Sequence, residues 1–168
     1  MKIGADSSVI IALWGVQPLD LLRLLFGEIF IPPAVATEID VQGKSGYKEF
    51  TSIEWIKQIG VLDSGLVDQL TRGAVRSTRL DQGESEVIAL AVELVADALL
   101  IDERRGRSVA LHLGIPVTGV VGILLQAKQL EFIHEVRPLL DQLVNEAGFR
   151  LKNNLYHRVL ELAGETAG

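Results

Sequence analysis

Lys2-Ile3-Gly4-Ala5-Asp6-Ser7-Ser8-Val9-Ile10-Ile11-Ala12-Leu13 is the stretch that decides the fold. Lys2 to Ala5 reads as a short strand. Asp6, Ser7 and Ser8 are residue types that cap a helix by accepting its orphan N–H groups, and Val9 to Leu13 continues as a short apolar helix. The same order of strand, acid and helix returns at Ala98-Leu99-Leu100-Ile101-Asp102, followed by a helix from Arg104 to Leu113. Ile29-Phe30-Ile31 is a further strand, ended by Pro32-Pro33 and followed by a helix from Ala34 to Ile39. Ile115-Pro116-Val117-Thr118 is another, leading into a helix from Gly119 to Leu130. Short apolar strands alternating with helices specify an α/β fold with a mostly parallel central sheet.

The remaining segments are less regular. Leu19 to Phe26 is helical and closed by Gly27. Residues 40–52 read as a polar loop holding Gly43 and Gly46, and Ile53 to Val61 is an irregular apolar stretch with Trp55. Residues 63–83 hold three glycines and Arg72, Arg76 and Arg79. From Ile133 onward the chain is mostly helical, with a break at Gly148.

The chain has 168 residues, which fits one domain, and with 48% hydrophobic residues it can bury a real core. A formal charge of −6 excludes a wholly basic nucleic-acid surface but leaves room for a local basic patch. With no cysteine, disulfides, thiolate nucleophiles and Cys-based zinc sites are excluded. No apolar run reaches the roughly 18 to 20 residues needed to span a bilayer, and the early Asp6 argues against a signal peptide, so a cytoplasmic location is expected. A mean hydropathy of +0.31 points to apolar surface covered by a partner.

In parallel sheets, ligands bind beyond the carboxyl ends of the strands. Asp6 and Asp102 both fall there, where an Asp also serves as a helix cap or turn residue. Glu38 lies on the helix after Pro33 and shares a face with Ala34 and Val35. On the helix Glu84 to Ala96, a turn of about 100° per residue puts Val87, Ile88, Ala91 and Val95 on one apolar face. Glu84 falls on that face, whereas Glu86, Glu93 and Asp97 fall opposite and read as ordinary solvated charges. Glu84 has two readings, a carboxylate aimed into a site or one that stabilises its own helix N-terminus. If the four carboxylates converge, their repulsion raises their pKa values unless a cation sits among them. An oxygen-only donor set selects Mg²⁺ or Mn²⁺ over zinc, and activation of water for phosphodiester attack is the natural chemistry.

Around these acids, Ser7, Ser8 and Thr118 are candidates to hold a phosphate or a bound water, with helix capping or a turn as their alternative roles. Arg104, Arg105 and Arg107 follow Asp102 and would put cations beside an acidic cleft. The three histidines have no zinc-ligand spacing, and no nucleotide-binding glycine loop is present.

The motif order resembles that of PIN domains. Ala5 to Leu13 looks like their first motif, Ile31 to Glu38 like the second, Gly83 to Ala91 like the third, Leu99 to Arg107 like the fourth, and Gly114 to Gly119 like the last strand and turn. The resemblance covers about residues 1–130, and the chain is similar to a prokaryotic PIN-like subfamily related to VapC-type toxins but with a longer C-terminus. It implies a three-layer fold with a nuclease domain over residues 1–130 and a helical extension over 131–168, packed on or beside it. It also implies a Mg²⁺- or Mn²⁺-dependent endoribonuclease, with Asp6, Glu38, Glu84 and Asp102 as both catalytic acids and metal ligands. Glu103 stands as the alternative to Asp102. Ser7, Ser8, Arg104, Arg105 and Thr118 then become substrate-binding residues, RNA the substrate, and an antitoxin protein and a second copy of the chain the expected partners.

Two other functions compete. A non-catalytic PIN-like module would bind nucleic acid or protein without needing a metal. A phosphohydrolase of the haloacid dehalogenase type would need a second Asp two residues after Asp6, where Ser8 stands. Neutralising four of the 22 acids would remove most of the formal charge of −6, so the acidic balance does not exclude RNA.

Overall fold

The computed structural model describes residues 1–16, 18–42, 50 and 52–166. Five strands, β1 (Ile3–Ala5), β2 (Ile29–Ile31), β3 (Ile56–Gln58), β4 (Ala98–Leu100) and β5 (Val117–Thr118), form one sheet in the order β3-β2-β1-β4-β5. Every pairing is parallel, with Gly4 opposite Phe30 on one side of β1 and Leu99 on the other. Among the described residues the helices are α1 (Ser7–Gly15), α2 (Asp20–Phe26), α3 (Pro33–Gln42), α4 (Ser64–Arg72), α5 (Gln82–Glu93) and α6 (Arg104–His112) between the strands, then α7 (Val120–Gln129), α8 (Arg137–Asn145) and α9 (Asn153–Leu162) after β5. Together they give a three-layer α/β fold.

The central strands are short apolar runs, buried on both faces. Ile3, Ile29, Ile31, Leu99, Leu100 and Ile101 are almost wholly enclosed, as expected where helices cover both faces of a parallel sheet. α5 packs on β1 and β4 and against α3 and α4, while α1 packs against α3, α7 and α8. The C-terminal helices bury Val136, Leu140, Leu143, Val159 and Leu160 in the same core. Glu165 fastens this end of the chain. It accepts from the backbone N–H of Val136 (2.6 Å) and Arg137 (3.0 Å) and from Lys128 Nζ (2.7 Å).

Some elements differ from the sequence reading. β3 lies in the stretch read as irregular; it is an edge strand whose Lys57 and Gln58 face solvent, so no alternation marks it. α3 runs on through Asp40 to Gln42, into the segment read as a loop; Gly43 and Gly46 lie outside the described residues. α4 was hidden among glycines. Asp63 caps its start by accepting from Leu66 N at 2.9 Å, and Gly73, in the left-handed region, ends it. α5 begins earlier than Glu84 and ends at Glu93. Val95, expected on its apolar face, lies beyond the helix and is 84% exposed.

Among the described residues no helix is long and apolar enough to cross a membrane.

Candidate active site

The sheet reverses its winding direction at β1. β2 and β3 were added on one side, and β4 and β5 on the other. The carboxyl ends of β1 and β4 therefore diverge into the crevice where parallel sheets hold ligands. Asp6 directly follows β1, and its backbone N–H donates to Leu100 O at 2.8 Å, which ties it to β4. Asp102 lies just past β4.

Asp6 is the N-cap of α1 and is 4% exposed. One carboxylate oxygen, Oδ2, accepts from Ser8 Oγ at 2.8 Å and, at longer range, from Ser8 N. The other, Oδ1, is buried with no hydrogen-bond partner. Ser7 is buried next to it, and its hydroxyl donates to Glu38 Oε2. Glu38, half-buried on α3, rests on the first turn of α5, where a Cβ on Gly83 would run into its carboxylate. Glycine at residue 83 thus makes room for Glu38.

Glu84 is 6% exposed, on the face its periodicity assigns. It belongs to a capping box: Asp81 Oδ1 accepts from Glu84 N at 2.8 Å, and Glu84 Oε2 accepts from Asp81 N at 3.2 Å. Capping occupies only one of its oxygens. Oε1 is buried without a partner, close to Gly106 of α6, where a Cβ would stand 3.2 Å away. The capping reading of Glu84 thus holds, and it leaves one oxygen unengaged.

Asp102 is held by the opposite device. The N–H of Val120, at the start of α7, donates to Oδ1 at 3.2 Å and to Oδ2 at 3.3 Å, and Gly119 leaves the space that the carboxylate fills. Arg107 reaches back from α6 to donate from Nη1 to Ile101 O at 2.9 Å. Glu103, the alternative fourth acid, is exposed and its side chain makes no capping bond.

Electrostatics links the four acids. Burial pushes the Asp6, Glu38, Glu84 and Asp102 carboxyls above their ordinary range, and Glu84 furthest, to about 7. The charge of Asp6 adds to the rise at each of the other three. Asp81, at the start of α5, presses on Asp6, Glu38 and Glu84, and Glu103 on Glu84. Like charges held this close repel one another. Among the described residues no three His, Cys, Asp or Glu side chains are drawn into a ligating group.

A divalent ion suits this chemistry. The inward acceptors are hard carboxylate oxygens, and two of them, on Asp6 and Glu84, are buried with no donor to satisfy them. The donor set contains neither sulfur nor imidazole.

A cleft of about 760 Å³ opens from Asp102 and is lined by Ser8, Arg107 and Thr118. Arg104 and Arg105 are exposed on the first turn of α6 and are not part of that lining, so the cation beside the acid is Arg107. Residues 147–151 and Leu155, from the C-terminal segment, also line it.

Sequence reasoning overlooked Asp81, Gly83 and Gly119. The spacing Asp81-x-x-Glu84 is a capping-box pattern and was the available clue. It also misread Glu86 and Glu93 as solvated. Glu86 is half-buried and accepts from Ala34 N (3.0 Å) at the start of α3, which helps seat the helix that carries Glu38. Glu93 accepts from the N–H groups of Leu62 (2.8 Å) and Asp63 (2.6 Å).

No curated protein matches the sequence. The PIN-domain family model matches residues 2–165, which takes in the sheet, every acid of the cluster and the C-terminal helices. With the parallel α/β architecture and the family model in agreement, the chain belongs to the PIN-domain family.

Proposed function

We propose that the protein is a divalent-metal-dependent endoribonuclease. One observation carries this reading. Asp6 Oδ1 and Glu84 Oε1 are buried, unpartnered carboxylate oxygens within one cluster of mutually repelling acids, at the sheet's switch point. Leaving such oxygens unsatisfied costs stability, so their retention favours a ligand that repays it. Membership of the PIN-domain family, whose fold is of nuclease type, supports the same reading.

Asp6, Glu38, Glu84 and Asp102 would hold Mg²⁺ or Mn²⁺. Such an ion supplies an acidified water at neutral pH and positive charge for the leaving oxygen of a phosphodiester. The chain's own residues do the rest. Ser8 fixes the Asp6 carboxylate through Oδ2 and leaves Oδ1 for the site. Ser7 steers Glu38, and Val120 N–H steers Asp102. Burial holds the Glu84 carboxyl near 7 in the metal-free protein, and a cation among the acids would favour its ionised, ligating form. Arg107 keeps a guanidinium beside Asp102 for the phosphate backbone, with Thr118 offering a hydroxyl to it; the Ser8 hydroxyl, expected to bind substrate, is already committed to Asp6. Arg104 and Arg105, exposed on the same turn, would add longer-range attraction for RNA. On the VapC-like order of the motifs alone, the proposal extends to a toxin role with an antitoxin partner and a homodimer.

The test is cleavage of single-stranded RNA with Mn²⁺ present, together with calorimetric titration of Mn²⁺. Asp6→Asn is expected to abolish cleavage while unfolding at the wild-type temperature or above. Full activity in that variant refutes the site. An intact fold with no saturable Mn²⁺ binding favours a non-catalytic binding module.

A further inference from the structure

Of the four acids only Asp102 lines the cleft. Beyond Asp102 the cleft continues along a wall made by the segment that joins α8 to α9 and by α9 itself, where Phe149, Arg150 and Leu151 of the segment and Leu155 of α9 line it. Gly148, in the left-handed region, turns the chain there, and Phe149 N–H donates to Leu143 O at 2.9 Å, which anchors the segment to α8. Phe149 is half-buried, packed against the core on one part and open to the cleft on the rest. Next to it Arg150 is exposed, and its side chain makes no hydrogen bond or ion pair among the described residues. Arg107, in the same lining, commits Nη1 to Ile101 O and makes no other hydrogen bond among the described residues.

An aromatic ring and two guanidinium groups in the lining of one cleft, next to the proposed phosphodiester site, have the chemistry of a single-strand nucleic-acid subsite. Such subsites pair stacking on aromatic faces with cations that follow the backbone. A duplex would instead need a broad basic face, and the acidic balance of 22 acids against 16 basic residues does not provide one. We propose that the wall formed by Phe149, Arg150 and Leu151 is a nucleotide subsite for single-stranded RNA. Phe149 and Leu151 take the face of a base, and Arg150 and Arg107 take the phosphates on either side of it. The strand is thereby led past Asp102. This rests on the proposed endoribonuclease activity, since the subsite gains its purpose from the cluster next to it.

The experiment separates the two claims by measuring binding apart from cleavage. A fluorescent single-stranded RNA is titrated onto Asp6→Asn protein without divalent ions, with and without Phe149→Ala, Phe149→Trp or Arg150→Ala. Thermal unfolding checks that each variant folds. Phe149→Ala is expected to weaken binding about tenfold or more, and Phe149→Trp to keep it, because stacking tolerates any aromatic ring. Arg150→Ala is expected to flatten the dependence of log affinity on log salt by about one ion. In the active background, Phe149→Ala should raise KM by a larger factor than it lowers kcat. If wild-type protein cleaves RNA and both alanine variants keep wild-type KM and affinity, the subsite is refuted and the activity stands. If RNA binds and Phe149→Ala releases it, but no cleavage occurs with Mn²⁺, the activity fails and the subsite stands. Equal losses in Phe149→Trp and Phe149→Ala also refute stacking.

Discussion

Replacing Glu84 by Gln should make the metal-free protein more stable at high pH, although it removes a residue of the candidate site. Burial, and to a lesser degree the charges of Asp81, Asp6 and Glu103, raise this carboxyl from 4.5 to about 7. The folded state therefore holds the proton more tightly than the unfolded chain. Its stability is fully present below about 4.5 and is lost as pH rises through about 7. At about 1.4 kcal/mol per pH unit, the difference between 4.5 and about 7 costs the ionised form at most about 3–4 kcal/mol. Glutamine stays neutral at every pH, and its amide oxygen still accepts from Asp81 N, so the capping box survives. Its NH₂ group also places a donor in a cluster that holds the unpartnered Asp6 Oδ1. The expected gain above pH 7 is about 1–3 kcal/mol, or about 3–10 °C in Tm for a chain of this length. Near pH 4, below the unfolded value, the gain should nearly vanish. Thermal unfolding followed by circular dichroism in EDTA, at both pH values, measures it. Mn²⁺ at pH 8 should then raise the Tm of the wild type by more than that of the variant. A Tm difference that is the same at both pH values would refute the reasoning, because it would mean that Glu84 carries no buried negative charge.

Other expectations follow from the packing. Gly83→Ala places a methyl where the Glu38 carboxylate lies, and that carboxylate is the end of a flexible side chain, so the fold should survive. Helix propensity even favours the alanine by about 0.5–1 kcal/mol, while cleavage should fall about a hundredfold as Glu38 is displaced; unchanged kcat would refute the placement of Glu38. Gly119→Ala should act likewise on Asp102, which can be read from weaker Mn²⁺ binding by calorimetry. Glu165→Ala, far from the acids, should cost about 1–3 kcal/mol in chemical denaturation by leaving the Val136 and Arg137 N–H groups unpaired, with no loss of Mn²⁺ affinity.

The parts of this molecule legible in the sequence are those set by a local rule. β1, β2 and β4 are apolar runs bounded by capping or breaking residues, and their limits agree with the reading to within one residue. Glu84 was legible because its face follows from helical periodicity alone. What escaped depends on contact across the fold. β3 exists because Ile29, Phe30 and Ile31 offer it a partner, not because of its own composition. Glu86 looks like a surface charge until α3 is laid against it. Gly83 and Gly119 look like breakers, and only the carboxylates lying over them show that they are clearances. Arg104 and Arg105 precede Arg107 on one turn, and sequence adjacency could not say which of the three turns inward.

The order of strands also bears on when the site comes into being. β1 must wait for β4, and the bond from Asp97 N to Lys2 O closes a loop of 95 residues. Loop closure over that span is slow compared with forming the local helices. A chain emerging from the ribosome presents Asp6, Glu38 and Glu84 well before Asp102 exists, and until β4 arrives the crevice has only one side. On the proposed function, a growing polypeptide thus has no two-sided site until β4 has formed, and a product truncated before Ala98 never acquires one.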